Sequence, residues 1–275
     1  MNYGAASSPL FCPVIVKPAE DTPLSCYRFV ALLRECRLPE GWCQAMVTEN
    51  TTFTGQLITD QRVGFFSFIG SAAVGWMLRS RLAPGARCAL EHGGAAPVLV
   101  APDADLEAAL AKLVKGGFYH AGQVCVSVQR VFAHRSIARD FGERLSQLAS
   151  KLRVGDPSLP ETEVGPLIRQ KEVLRVDQWV REALEGGAQL LCGGRALSES
   201  CYAPTVLLDP PADCKLSRLE VFGPVVCVYS YDALDEAIGR ANALPVAFQA
   251  AIFTRDYGTA MRIYTRPGCF RRDAQ

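Results

Sequence analysis

The chain has 275 residues, 49% of them hydrophobic and 21% charged, enough for one large domain or two smaller ones with a sizeable core. Its 29 basic residues balance 28 acidic ones, for a net charge of +1, so there is no electrostatic drive toward nucleic acid or an anionic membrane surface. No apolar run approaches the ~20 residues of a membrane span. The apolar stretch in "LFCPVIVKPAE" is short and lacks a charged lead, which argues against a signal peptide.

The predicted elements alternate in chain order. "PVIVKP" is a short strand ended by proline, and Asp21 or Thr22 is the expected cap of a helix with Pro23 in its first turn. That helix runs through "LSCYRFVALLREC". "WCQAMV" reads as a strand, "FTGQLIT" as a short helix and "VGFFSFIG" as a strong strand before the helix "SAAVGWMLRSRL". "CALE" and "APVLVA" are further strands. "ADLEAALAKLVKGGFYH" has helical spacing, "QRVFAHR" is a strand, and "IARDFGERLSQLASKL" is an amphipathic helix. A Pro/Gly-rich connection, "RVGDPSLPETEVGPLI", comes next. "VDQWVREALEGGAQLLCGG" gives a helix and a strand, and "PVVCVYSY", "LDEAIGRANAL" and "FQAAIFTRD" continue the pattern. Strands alternating with helices point to an α/β fold with a parallel, doubly wound sheet. The Gly-Gly of "EHGGAAP" is the expected boundary, dividing residues 1–93 from 94–275.

Eleven cysteines are present, none in a C-x-x-C pair, with only three histidines, at 92, 120 and 134; no metal site is expected. The scattered, odd count predicts mostly inert, buried thiols in a reducing cytoplasm.

Several positions carry candidate chemistry. Gly70 and Ser71 sit where a strand gives way to a helix, a place for a phosphate on free N–H groups, although a tight turn explains them too. Lys17 and Glu20 come just after another strand end, where open α/β sheets bind ligands; a solvated turn is the alternative. Glu91 closes an apolar strand before two glycines. It reads either as a partly desolvated general base or as a surface carboxylate. In "YHAGQVCVSVQRVF", Cys125 lies in a glycine-containing stretch beyond a helix, as a reactive thiol near backbone donors or as one more inert side chain.

Together these stretches resemble the aldehyde dehydrogenase superfamily, whose members use NAD(P) and a nucleophilic cysteine. "VKPAEDTPLS", "FIGSAAVG", "LEHGG", "GQVCVSVQR" and "EVFGPVV" are similar to five motifs of that family, in the family's order, and Glu91 and Cys125 are 34 positions apart, a typical separation. The resemblance runs from about Pro13 to about Thr265. It implies an incomplete Rossmann-type cofactor domain plus an α/β catalytic domain. It also implies that Cys125 adds to an aldehyde carbonyl, giving a thiohemiacetal and, after hydride transfer, a thioester hydrolysed by water that Glu91 activates. Lys17 and Glu20 would meet the adenosine ribose, Gly55 the adenine side, Gly70 and Ser71 the pyrophosphate, Glu220 the nicotinamide ribose, and Phe222 would pack near the nicotinamide. Glu20 favours NAD over NADP, since a carboxylate accepts from a free 2′-OH and repels a 2′-phosphate; NADP is the alternative.

The resemblance also implies truncation at both ends. The family's segment before the lysine motif, with an asparagine that completes the oxyanion hole, is missing here, and losing such a donor typically costs about 10²–10³ in rate. After "FTRDYGTAMRIYT" the family continues with a further strand and an oligomerisation strand, whereas this chain reads "RPGCFRRDAQ". A homo-oligomer is therefore expected to be weakened. A catalytically impaired fragment that keeps part of the fold is the alternative to a working enzyme.

Overall fold

The computed structural model describes residues 12–48, 51–244 and 249–266. The chain forms two compact units, Met1–His92 and Gly93–Gln275. Most of the opening segment and the arginine-rich end beyond residue 266 lie outside the described residues.

In the first unit, strand β1 (Val14–Val16) leads to helix α1 (Leu24–Glu35), then strand β2 (Cys43–Ala45) and helix α2 (Thr51–Thr59). Strand β3 (Phe65–Gly70), helix α3 (Ala72–Arg79) and strand β4 (Arg87–His92) complete it. β1 pairs with β2 and β3 with β4, both in parallel, as a helical crossover between strands requires. The expected cap of α1 is corrected. Pro23 itself holds the cap position and, having no polar side chain, makes no side-chain cap bond; Asp21 and Thr22 precede the cap position.

The second unit holds the larger core. Its strands are β5 (Ala96–Val100), β6 (Val128–His134), β7 (Gln189–Cys192), β8 (Thr205–Leu208), β9 (Val225–Tyr231) and β10 (Ala251–Phe253). They form one sheet in the order β10-β5-β6-β9-β8-β7, parallel except where β7 runs antiparallel to β8. Helices α4 (Leu106–Phe118), α5 (Arg135–Ala149), α6 (Gln170–Glu185), α7 (Lys215–Arg218), α8 (Leu234–Ala241) and α9 (Tyr257–Thr265) connect them. β5, β6 and β9 are buried almost throughout, because a parallel sheet covered on both faces needs continuous apolar strands. Phe118, Phe132, Phe141, Leu110 and Leu145 fill that core. The amides that open α4 and α9 are capped by Asp105, which accepts from Ala108 N–H, and Asp256, which accepts from Thr259 N–H.

The β5–β6 ladder is irregular at its start. It passes from Ala96↔Val128 to Pro97↔Arg130 and skips Gln129. Proline has no N–H to give the ladder, and a bulge at such a point re-aims a side chain.

Candidate active site

Cys125 occupies a turn that the preceding residues force on the chain. α4 ends at Phe118, and three successive residues then take left-handed backbone: His120 (φ 49°), Ala121 (φ 56°) and Gly122 (φ 69°). This conformation costs about 1–2 kcal/mol for each residue with a Cβ. At Gly122 a Cβ would run into the backbone of Gly223, so glycine is required by conformation and by space together. Gln123 stabilises the loop. Its Nε2 donates to Pro166 O (3.1 Å) and His120 O (3.3 Å), and its Oε1 accepts from Ile168 N–H (2.9 Å). The Ser127 N–H then bonds Val124 O at 2.9 Å, which places Cys125 in the turn, exposed, and Gln249 Nε2 donates to Val126 O at 3.0 Å.

The expectation of mostly buried thiols is corrected. Among the described residues only Cys43 and Cys227 are buried, while Cys12 and Cys36 are exposed like Cys125. Exposure alone does not distinguish Cys125; the locked left-handed loop does. Cys227, fully enclosed in β9, has its thiol pushed up to about 12 by burial.

The segment Glu220–Val226 meets this loop, since Gly122 rests on Gly223. Glu220 is half-buried, and its Oε1 accepts from Gly94 N–H at 2.9 Å. Burial raises its pKa, while the Gly94 N–H and the Arg175 charge pull the other way. The Glu220 carboxylate fills the space that a Cβ at Gly93 would occupy. Phe222 is left-handed (φ 48°) and 42% exposed. A narrow recess is lined by Gly94, Gly122, Val124, Ser127, Gln129, Glu220, Val221 and Phe222, with Gly223 and Val225. The structure thus brings together the loops of Cys125, Glu220 and Phe222.

The remaining candidates belong to the first unit. Lys17 Nζ bonds Glu20 Oε1 at 2.5 Å and Pro18 O at 3.0 Å, just beyond β1. Gly55 lies within α2, with open space where a Cβ would be. Gly70 ends β3. Ser71 is the cap residue of α3, and its hydroxyl does not bond the helix amides. Glu91 pairs in register with Ile69 on β3, next to the Gly70↔His92 pair. It is exposed, as the surface-carboxylate reading of this position has it; β4 is half of a two-stranded pair. His92 packs against Trp76, ring centroids 5.7 Å apart. Among the described residues no cluster of three or more His, Cys, Asp or Glu side chains forms a metal site, and no helix is long and apolar enough to cross a membrane.

A family model described as the aldehyde dehydrogenase family matches residues 8–269. The chain belongs to the aldehyde dehydrogenase family.

Among the aldehyde dehydrogenases, a 3-sulfolactaldehyde dehydrogenase from Priestia aryabhattai is 39% identical over 249 residues, covering 90% of this chain and 52% of the relative. An aldehyde dehydrogenase structure from Brucella melitensis biovar abortus 2308 matches with a TM-score of 0.91 and 30% identity, over 96% of this chain and 55% of that one. A betaine aldehyde dehydrogenase from Staphylococcus aureus, in complex with NAD+, matches with a TM-score of 0.87 and 29% identity, over 92% and 52%. The chain spans about half the length of the curated relatives it matches. The fold is that of the aldehyde dehydrogenases.

Three side chains of the second unit were not reached by sequence reasoning. Gln129 is buried, and its Nε2 donates to Leu216 O (3.0 Å) and Leu219 O (2.6 Å) while its Oε1 accepts from Val221 N–H (2.8 Å). Arg130 is 2% exposed and donates to Ala95 O, Arg240 O and Ala241 O. The last two carbonyls close α8, whose dipole favours a cation there. Arg175 donates to Val221 O at 2.7 Å and to the Glu172 carboxylate, over the Trp179 ring. The available signal was a run of two polar residues, Gln129 and Arg130, at the head of an apolar strand.

Proposed function

We propose that this chain carries out aldehyde oxidation to a carboxylic acid, with Cys125 as nucleophile, Glu91 as the base of the hydrolytic step and NAD as electron acceptor, NADP being the alternative. The observation that carries the reading is the exposed thiol of Cys125 on a strained loop that Gln123 and Gly122 lock in place. Strain of this kind collects at reactive sites.

The residues present fit a dinucleotide. Glu220 offers a half-buried carboxylate beside a backbone with no Cβ at Gly93, a shape suited to ribose hydroxyls. Lys17 and Glu20, paired next to a strand end, suit the adenosine ribose, and the Glu20 carboxylate favours a free 2′-OH. Gly55, Gly70 and Ser71 are assigned to the adenine side and the pyrophosphate, and Phe222 to the nicotinamide. The cofactor, when bound, supplies the acceptor for the substrate's hydride.

The chain's own residues do the rest. The Cys125 thiolate bonds to the carbonyl carbon, and the carbonyl π pair moves to oxygen as an oxyanion. Fixed backbone N–H donors near such an oxygen stabilise its charge without the reorganisation that solvent would need. Once the carbon is at the acyl level, Glu91 takes a proton from the water that attacks the thioester, and the thiolate leaves as the acid forms. A reducing compartment such as the cytoplasm is the setting we assign, since the cysteines of the described residues are free thiols.

A specific observation favours a second reading, a catalytically impaired chain that keeps part of the fold. Among the described residues the first unit has two separate two-stranded pairs, with Ile15, Phe65, Ile69 and Trp76 all more than 40% exposed. Isolated two-stranded pairs are marginally stable. One assay separates the readings. The purified chain is mixed with NAD+ and a panel of aldehydes, and NADH absorbance is followed. Turnover that vanishes in Cys125→Ser supports the enzyme. A flat trace, with Cys125 alkylated no faster than Cys12 or Cys36, overturns it in favour of the second reading.

A further inference from the structure

We infer that Gln129 is a positioning residue: its carboxamide holds the Leu216–Phe222 segment so that the Glu220 carboxylate stays seated on the Gly94 amide, ready for a dinucleotide. The identity of the ligand rests on the proposed function; the positioning rests on geometry alone.

Pro97 sets up the arrangement. Its missing N–H breaks the β5–β6 register, and the skipped residue is Gln129. Released from the ladder, its buried side chain reaches the α7–β9 connection. α7 has only four residues, so its last carbonyls have few partners within the helix. Gln129 Nε2 takes two of the carbonyls here, Leu216 O at 3.0 Å and Leu219 O at 2.6 Å. Its Oε1 takes the Val221 N–H at 2.8 Å. Two donors and an acceptor on one planar group are what this set requires. A glutamate in its ionised form would face two carbonyls with acceptors only, and a lysine would have nothing for the Val221 amide.

Arg175 closes the clamp from α6 by donating to Val221 O at 2.7 Å. Both polar groups of residue 221 are therefore held. Glu220 precedes it, and Phe222 comes next in a left-handed conformation. With the peptide fixed, the Glu220 carboxylate reaches Gly94 at 2.9 Å and fills the space beside Gly93. The chain that links Gln129 to Gly94 runs through Glu220, and that separates positioning from simple satisfaction of buried carbonyls.

The test compares the full chain with Gln129→Met by amide hydrogen exchange at Val221 and Gly94, with Val226 and Val228 of β9 as internal controls. In parallel, NADH binding is followed by fluorescence, and KM for NAD+ is separated from kcat. Loss of these hydrogen bonds is expected to raise exchange at Val221 and Gly94 about tenfold, with the β9 amides unchanged. NADH should bind about five- to tenfold more weakly, with KM rising by a similar factor and kcat moving less than about twofold. Unchanged exchange at Gly94, or a uniform rise across β9, overturns the inference. If the unsubstituted chain binds no NADH, the dinucleotide reading fails and the exchange arm alone decides the positioning. Should Gln129→Met not fold, Arg175→Lys, which weakens the hold on the Val221 carbonyl together with the Glu172 and Trp179 contacts and leaves the Gln129 bonds in place, is read by the same amides.

Discussion

Glu220 accepts a hydrogen bond from the Gly94 N–H at 2.9 Å, across 126 positions of sequence. This contact joins the segment that opens β5 to the loop before β9. The carboxylate is half-buried, and burial raises its pKa more than the Gly94 amide and Arg175 lower it. The folded state therefore holds the Glu220 proton more tightly than the unfolded chain does. As pH rises from the ordinary glutamate value, about 4.3, through the raised folded value, ionisation removes stability. Glu220→Gln keeps an acceptor for Gly94 and cannot ionise. Thermal melts should show the variant gaining on the unsubstituted chain as pH goes from about 4 to about 7. An equal difference at both pH values would refute this.

Thiol reactivity should track the loop geometry. Iodoacetamide labelling read by peptide mass spectrometry is expected to modify Cys125 in the native chain. Cys227, enclosed in β9 with its thiol pushed up to about 12, should stay unmodified until the chain is denatured. Bound NADH should slow labelling at Cys125 and leave Cys12 and Cys36 unaffected.

Under the proposed mechanism, replacing the base separates acylation from hydrolysis. Glu91→Gln should still release one equivalent of NADH per chain from an aldehyde and then stall. Intact-mass measurement should find the acyl group on Cys125, with steady-state turnover down by about 10²-fold or more. Full turnover in the variant would remove Glu91 from the role.

Gly122 is the most constrained position in the nucleophile loop. Gly122→Ala imposes a Cβ on a left-handed backbone and drives it into Gly223. The expected cost is about 2–4 kcal/mol, from the conformational penalty and the displaced neighbour together. Denaturant unfolding measures it. The same variant should lose the labelling preference at Cys125, because the turn and the Glu220 loop rest on each other.

Arg130 ties β6 to Ala95 and to the end of α8. Arg130→Met leaves three carbonyls, those of Ala95 and Ala241 buried and that of Arg240 partly so, without this donor and should destabilise the second unit by about 3 kcal/mol or more. Arg130→Lys should recover little, since one ammonium cannot span carbonyls on two elements as a guanidinium does. Unfolding curves at low and high salt should coincide in their differences, because the site is buried.

The order of strands and helices was legible in the sequence because it is local. Continuous apolar runs such as "PVVCVYSY" mark buried parallel strands, and helical spacing in "ADLEAALAKLVKGG" marks a helix packed on them. The resemblance pointed to Cys125, Glu91, Glu220 and Phe222 through their motifs, and their roles stay with the proposal above. β8 and α9 were not: Thr205–Leu208 is too short for a period to show, and the face of α9 with exposed Tyr257 and Tyr264 carries no clear stripe. Tertiary structure alone decided that Pro97 would shift a register, that Gln129 would leave the ladder, and that its carboxamide would hold the loop bearing Glu220. The reason is physical. Periodicity records which face of an element is apolar, whereas a hydrogen bond across ninety or more residues depends on where the sheet brings the chain back, and no local pattern encodes that.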